Sequence, residues 1–114
     1  MHELSIVMGI IDIAEEQAKK AGVKEFDSIE LEIGTLSGIV TEALDFAWQS
    51  AVGGTVLEKA ERKIISIKAV SRCIDCGNEF STAALYEKCP RCGSYVTNLI
   101  KGNELKVKSL SYNS

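Results

Sequence analysis

Four cysteines fall in two matched pairs, Cys73-Ile74-Asp75-Cys76 and Cys89-Pro90-Arg91-Cys92, with twelve residues between the pairs and no cysteine elsewhere. Two thiolates from one tight loop and two from another surround a single ion tetrahedrally, the arrangement that Zn(II) takes in closed structural sites. Gly77 and Gly93 each follow the second cysteine of a pair, where a small residue at positive φ lets backbone N–H groups turn toward the sulfurs. A redox reading of either pair requires a CxxC that opens a helix in a βαβ unit, whereas here the two motifs match each other. The spacing therefore speaks of construction, with Cys73, Cys76, Cys89 and Cys92 holding zinc, and leaves purpose open.

The one histidine, His2, stands at the other end of the chain. With no second histidine, no glycine-rich phosphate loop and every cysteine committed to metal, the sequence points away from an enzyme. Met1-His2-Glu3 instead gathers an α-amine, two amide nitrogens, an imidazole and a carboxylate within three residues, and closely spaced nitrogens suit square-planar Ni(II) or Cu(II). A helix is expected to start directly after, and the first N–H groups of a helix have no intrahelical acceptor, so these amides are free for metal. The bulk of His2 hinders removal of the initiator methionine, so the amine belongs to Met1. The helix macrodipole opposes a cation there by about 0.3–1 kcal/mol, which deprotonated amides and Glu3 outweigh. Amide and imidazole protons must leave, so binding weakens as pH falls. The plain alternative is an exposed histidine with no ligand.

These ligands need elements to hold them. Leu4, Val7, Met8, Ile11, Ala14, Ala18 and Ala21 recur at helical spacing, which predicts an amphipathic helix stopped by Gly22. Ile6, Ile10 and Ile13 widen its apolar stripe. Ile29, Leu31 and Ile33 alternate with Glu30 and Glu32, a strand with one face buried. After the loop Gly34-Thr35-Leu36-Ser37-Gly38, Thr41 is the expected N-cap of a second helix burying Leu44, Ala47, Trp48 and Ala51. Ile65/Ile67 and Leu105/Val107 mark two further strands on either side of the cysteines, expected as neighbours. The fold class is α/β (α+β): two helices packed on a small three-stranded sheet, with an inserted zinc-ribbon lobe. The expected domains are residues 1–70 with 103–114, and an inserted zinc-binding domain at 71–102.

At 114 residues the chain builds one modest core, and a lobe as small as 71–102 needs its metal to fold. Residues 1–58 carry three basic and eleven acidic side chains, residues 59–114 ten basic and five acidic. The acidic half attracts cations and the basic half suits an acidic partner, but interleaved glutamates weigh against nucleic acid. No run of eighteen apolar residues spans a membrane, and the start lacks the cationic opening of a signal peptide. A cytoplasmic location keeps the thiols reduced for metal.

Four segments together resemble one family: the start Met1-His2-Glu3-Leu4-Ser5, the loop Gly34-Thr35-Leu36-Ser37-Gly38-Ile39-Val40 running into Glu42-Ala43-Leu44, the cysteine pairs ending Cys89-Pro90-Arg91-Cys92-Gly93-Ser94, and Gly102-Asn103-Glu104-Leu105. In this order they resemble the HypA/HybF family of hydrogenase nickel-incorporation proteins along the whole chain. The resemblance implies a non-enzymatic metallochaperone with Ni(II) as cargo at Met1, His2 and Glu3, and a structural Zn(II) on the four cysteines. It implies as partners the maturation nucleotidase HypB and the NiFe hydrogenase large subunit, and in some organisms urease maturation proteins. Some members add a zinc-lobe histidine to the nickel site; here Asn98 stands in that neighbourhood, leaving carboxylate, backbone or water. The alternative is a zinc-ribbon adaptor binding nucleic acid or a transcription complex through Lys63, Lys68, Arg72 and Arg91.

Overall fold

The computed structural model describes residues 3–113. It divides into two compact units, one comprising the chain up to Leu31, Ile39–Ile64 and the stretch from Val107 onward, the other Glu32–Gly38 and Ile65–Lys106. Its elements run α1 (Glu3–Ala21), β1 (Ser28–Gly34), α2 (Thr41–Ala51), β2 (Glu61–Ile67), β3 (Val70–Cys73), β4 (Glu79–Ser81), β5 (Thr97–Lys101) and β6 (Leu105–Ser111). The strands form two three-stranded sheets, ordered β2-β1-β6 and β4-β3-β5.

In the first unit, α1 buries Val7, Ile10, Ile11, Ala14 and Ala18. The buried stripe is rotated from the one expected, since Ile10 is inside while Leu4, Met8 and Ile13 are about half exposed. Continuous apolar sequence on two sides of a helix leaves the choice of inner face to whatever packs against it, here α2. Glu3 in the first turn and Lys19 and Lys20 in the last oppose the partial charges of the helix ends. The C-terminus closes in a Schellman motif: the Val23 N–H donates to the Ala18 carbonyl at 3.0 Å and the Gly22 N–H to Lys19 at 3.3 Å.

Helix α2 buries Leu44, Ala47 and Trp48, as their spacing predicts, while Ala51 at its last position is only half-buried. Its N-cap is Val40 rather than Thr41, and no side chain of the cap residue bonds the first turn. Instead the Val40 N–H donates to the Glu3 carboxylate at 3.4 Å. Arg62 pairs with Asp45 and lies 5.2 Å from the Trp48 ring centre, fastening α2 to β2. In β1, Ile29 and Leu31 are fully buried.

The strands that flank the cysteines are not neighbours, because β1 lies between them. Its first turn shows why. Asp27, just before β1, donates to the Ser111 carbonyl at 2.8 Å and accepts from the Glu61 N–H at 2.9 Å, so β1 is paired on both edges from its start.

In the second unit, β3 pairs antiparallel with β4 and β5, with a bulge between Val70 and Ser71 on the β5 side. Its buried cluster is small: Cys73, Phe80 and Cys89. Gly34 and Gly102 meet backbone to backbone, and Gly102, at φ 118°, packs in turn on Ala69. Three backbone bonds hold this crossing: Gly34 N–H to Glu104, Thr35 N–H to Ile67 and Leu36 N–H to Gly102, at 2.8, 3.0 and 2.6 Å.

Candidate metal centre

Cys73 is the last residue of β3, and the turn after it carries Cys76. The second pair sits in a turn of the same design. The Cys73 N–H donates to the Asn78 carbonyl at 2.8 Å and the Gly77 N–H to the Cys73 carbonyl at 2.9 Å; in the second turn Cys89 donates to Ser94 and Gly93 to Cys89, both at 2.8 Å. Gly77 and Gly93 share φ 76°, a value that l-residues with a Cβ rarely adopt. Their N–H groups thus close the turns on cysteine carbonyls rather than pointing at sulfur, and this closure frees the next amides for the sulfurs. Backbone N–H groups of Asn78 and Ser94 reach Cys76 and Cys92 respectively, and the Arg91 N–H reaches Cys89 at 3.4 Å.

The two turns bring all four sulfurs within 4.8 Å of one another. Cys73 and Cys92 are 3.5 Å apart at sulfur, Cys76 and Cys89 3.6 Å, and all four are free thiols. A tetrahedral Zn(II) with Zn–S bonds of about 2.3 Å separates its sulfurs by about 3.8 Å, so the donor set fits that ion with little adjustment. Cys73 and Cys89 are buried and Cys76 and Cys92 exposed. Neither CxxC opens a helix, which removes the geometry a thioredoxin-like site requires.

Electrostatics reinforce the fit. Burial pushes the Cys89 thiol up, but N–H groups of Cys92 and Arg91, the Cys76 thiol and the Asn78 amide outweigh it and bring Cys89 down to about 6. At Cys92 the Ser94 N–H favours the thiolate, yet the thiols of Cys73, Cys76 and Cys89 together with burial push it up to about 12. Cys76 is also raised: the Asn78 N–H and the Cys92 thiol act against the rise, and burial with the thiols of Cys89 and Cys73 drives it. Thiolates this close repel one another, which disfavours ionising the whole set without a cation. A bound divalent ion reverses that and keeps every sulfur ionised. Closed on four thiolates, zinc would supply cross-linking of the two turns.

Supporting residues were not legible in the cysteine spacing. Asp75 of the first turn accepts from the Ser94 hydroxyl of the second at 2.5 Å, and the Ile74 N–H donates to the Val96 carbonyl at 2.9 Å. The Asn78 amide lies 3.8 Å from the Cys89 sulfur. Of the basic residues suited to an adaptor role, Arg72 is already paired with Glu79 at 2.7 Å.

Of the expected nickel ligands, Met1 and His2 lie outside the described residues. Glu3 is the first residue of α1, half-buried, with its carboxylate against the Val40 N–H. That link spans 37 residues of sequence and has no local signature. Among the described residues, no helix is long and apolar enough to cross a membrane.

A family model described as hydrogenase/urease nickel incorporation, metallochaperone, HypA matches residues 1–112. The hydrogenase maturation factor HypA of Parabacteroides distasonis is 46% identical over 110 residues, covering 96% of each chain. That of Geotalea daltonii is 42% identical, covering 97% of this chain and 98% of the relative. Among solved structures, the solution structure of the Ni metallochaperone HypA from Helicobacter pylori superposes with a TM-score of 0.72 at 30% identity, covering 98% and 97% of the two chains.

Proposed function

Because this chain belongs to the HypA family of hydrogenase and urease nickel-incorporation metallochaperones, we propose that it carries Ni(II) on Met1, His2 and Glu3 and delivers it during maturation of NiFe hydrogenase. The observation that carries this reading is the family match itself, which begins at residue 1 and so includes the Met1-His2-Glu3 start. On this reading Ni(II) is cargo, held by the Met1 amine, the His2 amide and imidazole, and Glu3. Zn(II) resides on Cys73, Cys76, Cys89 and Cys92. Delivery runs through HypB and the hydrogenase large subunit, with urease maturation proteins as a second destination. The work is transfer of an ion and involves no bond-making on a substrate.

The chemistry of the cargo site favours pick-up near neutral pH and release in acid. An imidazole binds metal only through a deprotonated nitrogen and an amide only after losing its proton, so affinity falls as pH drops. The test is a calorimetric titration of zinc-loaded protein with Ni(II), using a native, untagged N-terminus. One Ni(II) per chain is expected, and His2→Ala abolishes it while leaving four-thiolate zinc and the melting temperature unchanged. Undiminished nickel affinity in His2→Ala refutes the assignment.

A further inference from the structure

We propose that the outer edge of β6, with the groove between it and α1, is a docking site for an extended acidic segment of another protein, which joins the sheet as a fourth strand. The groove has a volume of about 340 Å³. One wall is the row Ile13, Gln17 and Ala21 of α1, spaced to share one face of the helix. The other is Val107, Lys108, Ser109 and Leu110. Side chains of a strand alternate between faces, so four consecutive residues border one cavity only where it runs along the strand's edge. That edge is the last in the order β2-β1-β6, and among the described residues no strand pairs with it. It offers a row of backbone donors and acceptors of the kind that captures a further strand.

Two features specify the occupant. Phe26 and Tyr112, with ring centres 6.1 Å apart, also line the groove, and Ile13 is 48% exposed beside them, so one large apolar side chain finds an apolar bed. Lys108, exposed at the groove, has no ion pair among the described residues, whereas Lys106, two residues before it, is already paired with Glu32 at 3.5 Å. The nearby Asp27 carboxylate is taken by the Asn113 N–H at 2.7 Å. Lys108 therefore selects a carboxylate beside an apolar anchor. A second copy of β6 is a poor occupant, because antiparallel registers centred on Val107 or Lys108 set lysine against lysine, and like charges directly opposite are destabilising.

Ile13 lies about 15 Å along α1 from Glu3 at 1.5 Å per residue, so docking and nickel binding are separable. The test uses the full, zinc-loaded, isotope-labelled chain and a nine-residue peptide of alternating glutamate and valine with a central phenylalanine, followed by amide chemical shifts. Saturable shifts at residues 107–110 and along Ile13–Ala21, with slowed amide exchange in β6, are expected. Lys108→Glu weakens binding about tenfold, and Gln17→Trp, which fills the groove, abolishes it; both variants keep nickel stoichiometry and melting temperature. A lysine-for-glutamate peptide and one N-methylated at alternate amides fail to bind. The proposal is overturned by absence of saturable shifts, by equal binding to Lys108→Glu or of the N-methylated peptide, by self-association through β6, or by equal occupancy with phenylacetate, which makes the groove a small-molecule site.

Discussion

At Cys89, burial and hydrogen bonding pull in opposite directions, and the bonds win. The thiolate is favoured above about pH 6 and is lost as pH falls through that value, so N–H groups at this sulfur defend the site against protons competing for it. The Asn78 side-chain amide is one of these donors and acts beside the Cys76 thiol. Removing it in Asn78→Ala leaves intact the Asn78 carbonyl that accepts from Cys73, raises the pKa of the Cys89 thiol, and shifts acid-driven metal loss upward. The expected result is zinc release, followed with a chromogenic chelator, whose midpoint moves up by a fraction of a pH unit, with full occupancy at pH 7.5. A midpoint that stays in place or falls means the amide does not act on the sulfur. The cysteines themselves announce the site by spacing, but Asn78 and the Asp75 to Ser94 bond do not, because a hydrogen bond across two turns depends on how the turns close.

Gly34, in the last position of β1, and Gly102, between β5 and β6, cross with no room for a side chain on either. A Cβ on Gly34 lands on the Gly102 carbonyl, which is backbone and cannot rotate away. Gly34→Ala is therefore expected to destabilise by about 3 kcal/mol, the upper range for overpacking, whereas Gly53→Ala, with nothing within 4 Å of its new methyl, is expected to be near neutral. Urea midpoints of the two variants decide this, and equal midpoints contradict the packing argument. The loop Gly34-Thr35-Leu36-Ser37-Gly38 was visible in the sequence as a break between β1 and α2, but its tight backbone crossing was not. The same division runs through the other elements. Alternation in Ile29 and Leu31 and periodicity in Leu44, Ala47 and Trp48 identified β1 and the inner face of α2. Which side of α1 turns inward, where α2 is capped, and that β1 separates β2 from β6 depended on contacts between distant segments. Thr41 has the chemistry of a cap, yet Glu3 from another helix reaches the Val40 N–H, and no local rule foresees that.

Each compact unit has its own means of cohesion. The unit containing α1 and α2 buries Val7, Ile11, Ala14, Ile29, Leu31, Leu44 and Leu57, a core that large side chains from helices and strands fill without metal. The unit containing β3, β4 and β5 has as its buried apolar cluster Cys73, Phe80 and Cys89, of which two are sulfur donors. Taking the ion away from such a cluster leaves Phe80 and a set of mutually repelling thiols. Structural zinc contributes about 10–16 kcal/mol in small zinc-finger peptides, as much as or more than the whole stability of an ordinary domain, about 5–15 kcal/mol. Chelation at neutral pH is thus expected to unfold the second unit while the first persists. Hydrogen exchange resolves the two: amides of β3, β4 and β5 rise to rates near those of a free peptide, and those of α1 and α2 keep their protection. Readdition of zinc restores the slow set, and His2→Ala is expected to behave identically, since four thiolates complete a tetrahedral zinc site without an imidazole. Persistent protection in β3 to β5 after chelation means that the hydrogen-bonded turns suffice without an ion. Loss of protection in α1 and α2 means that the first unit's core does not stand alone, and either outcome replaces the division of cohesion argued from the buried residues.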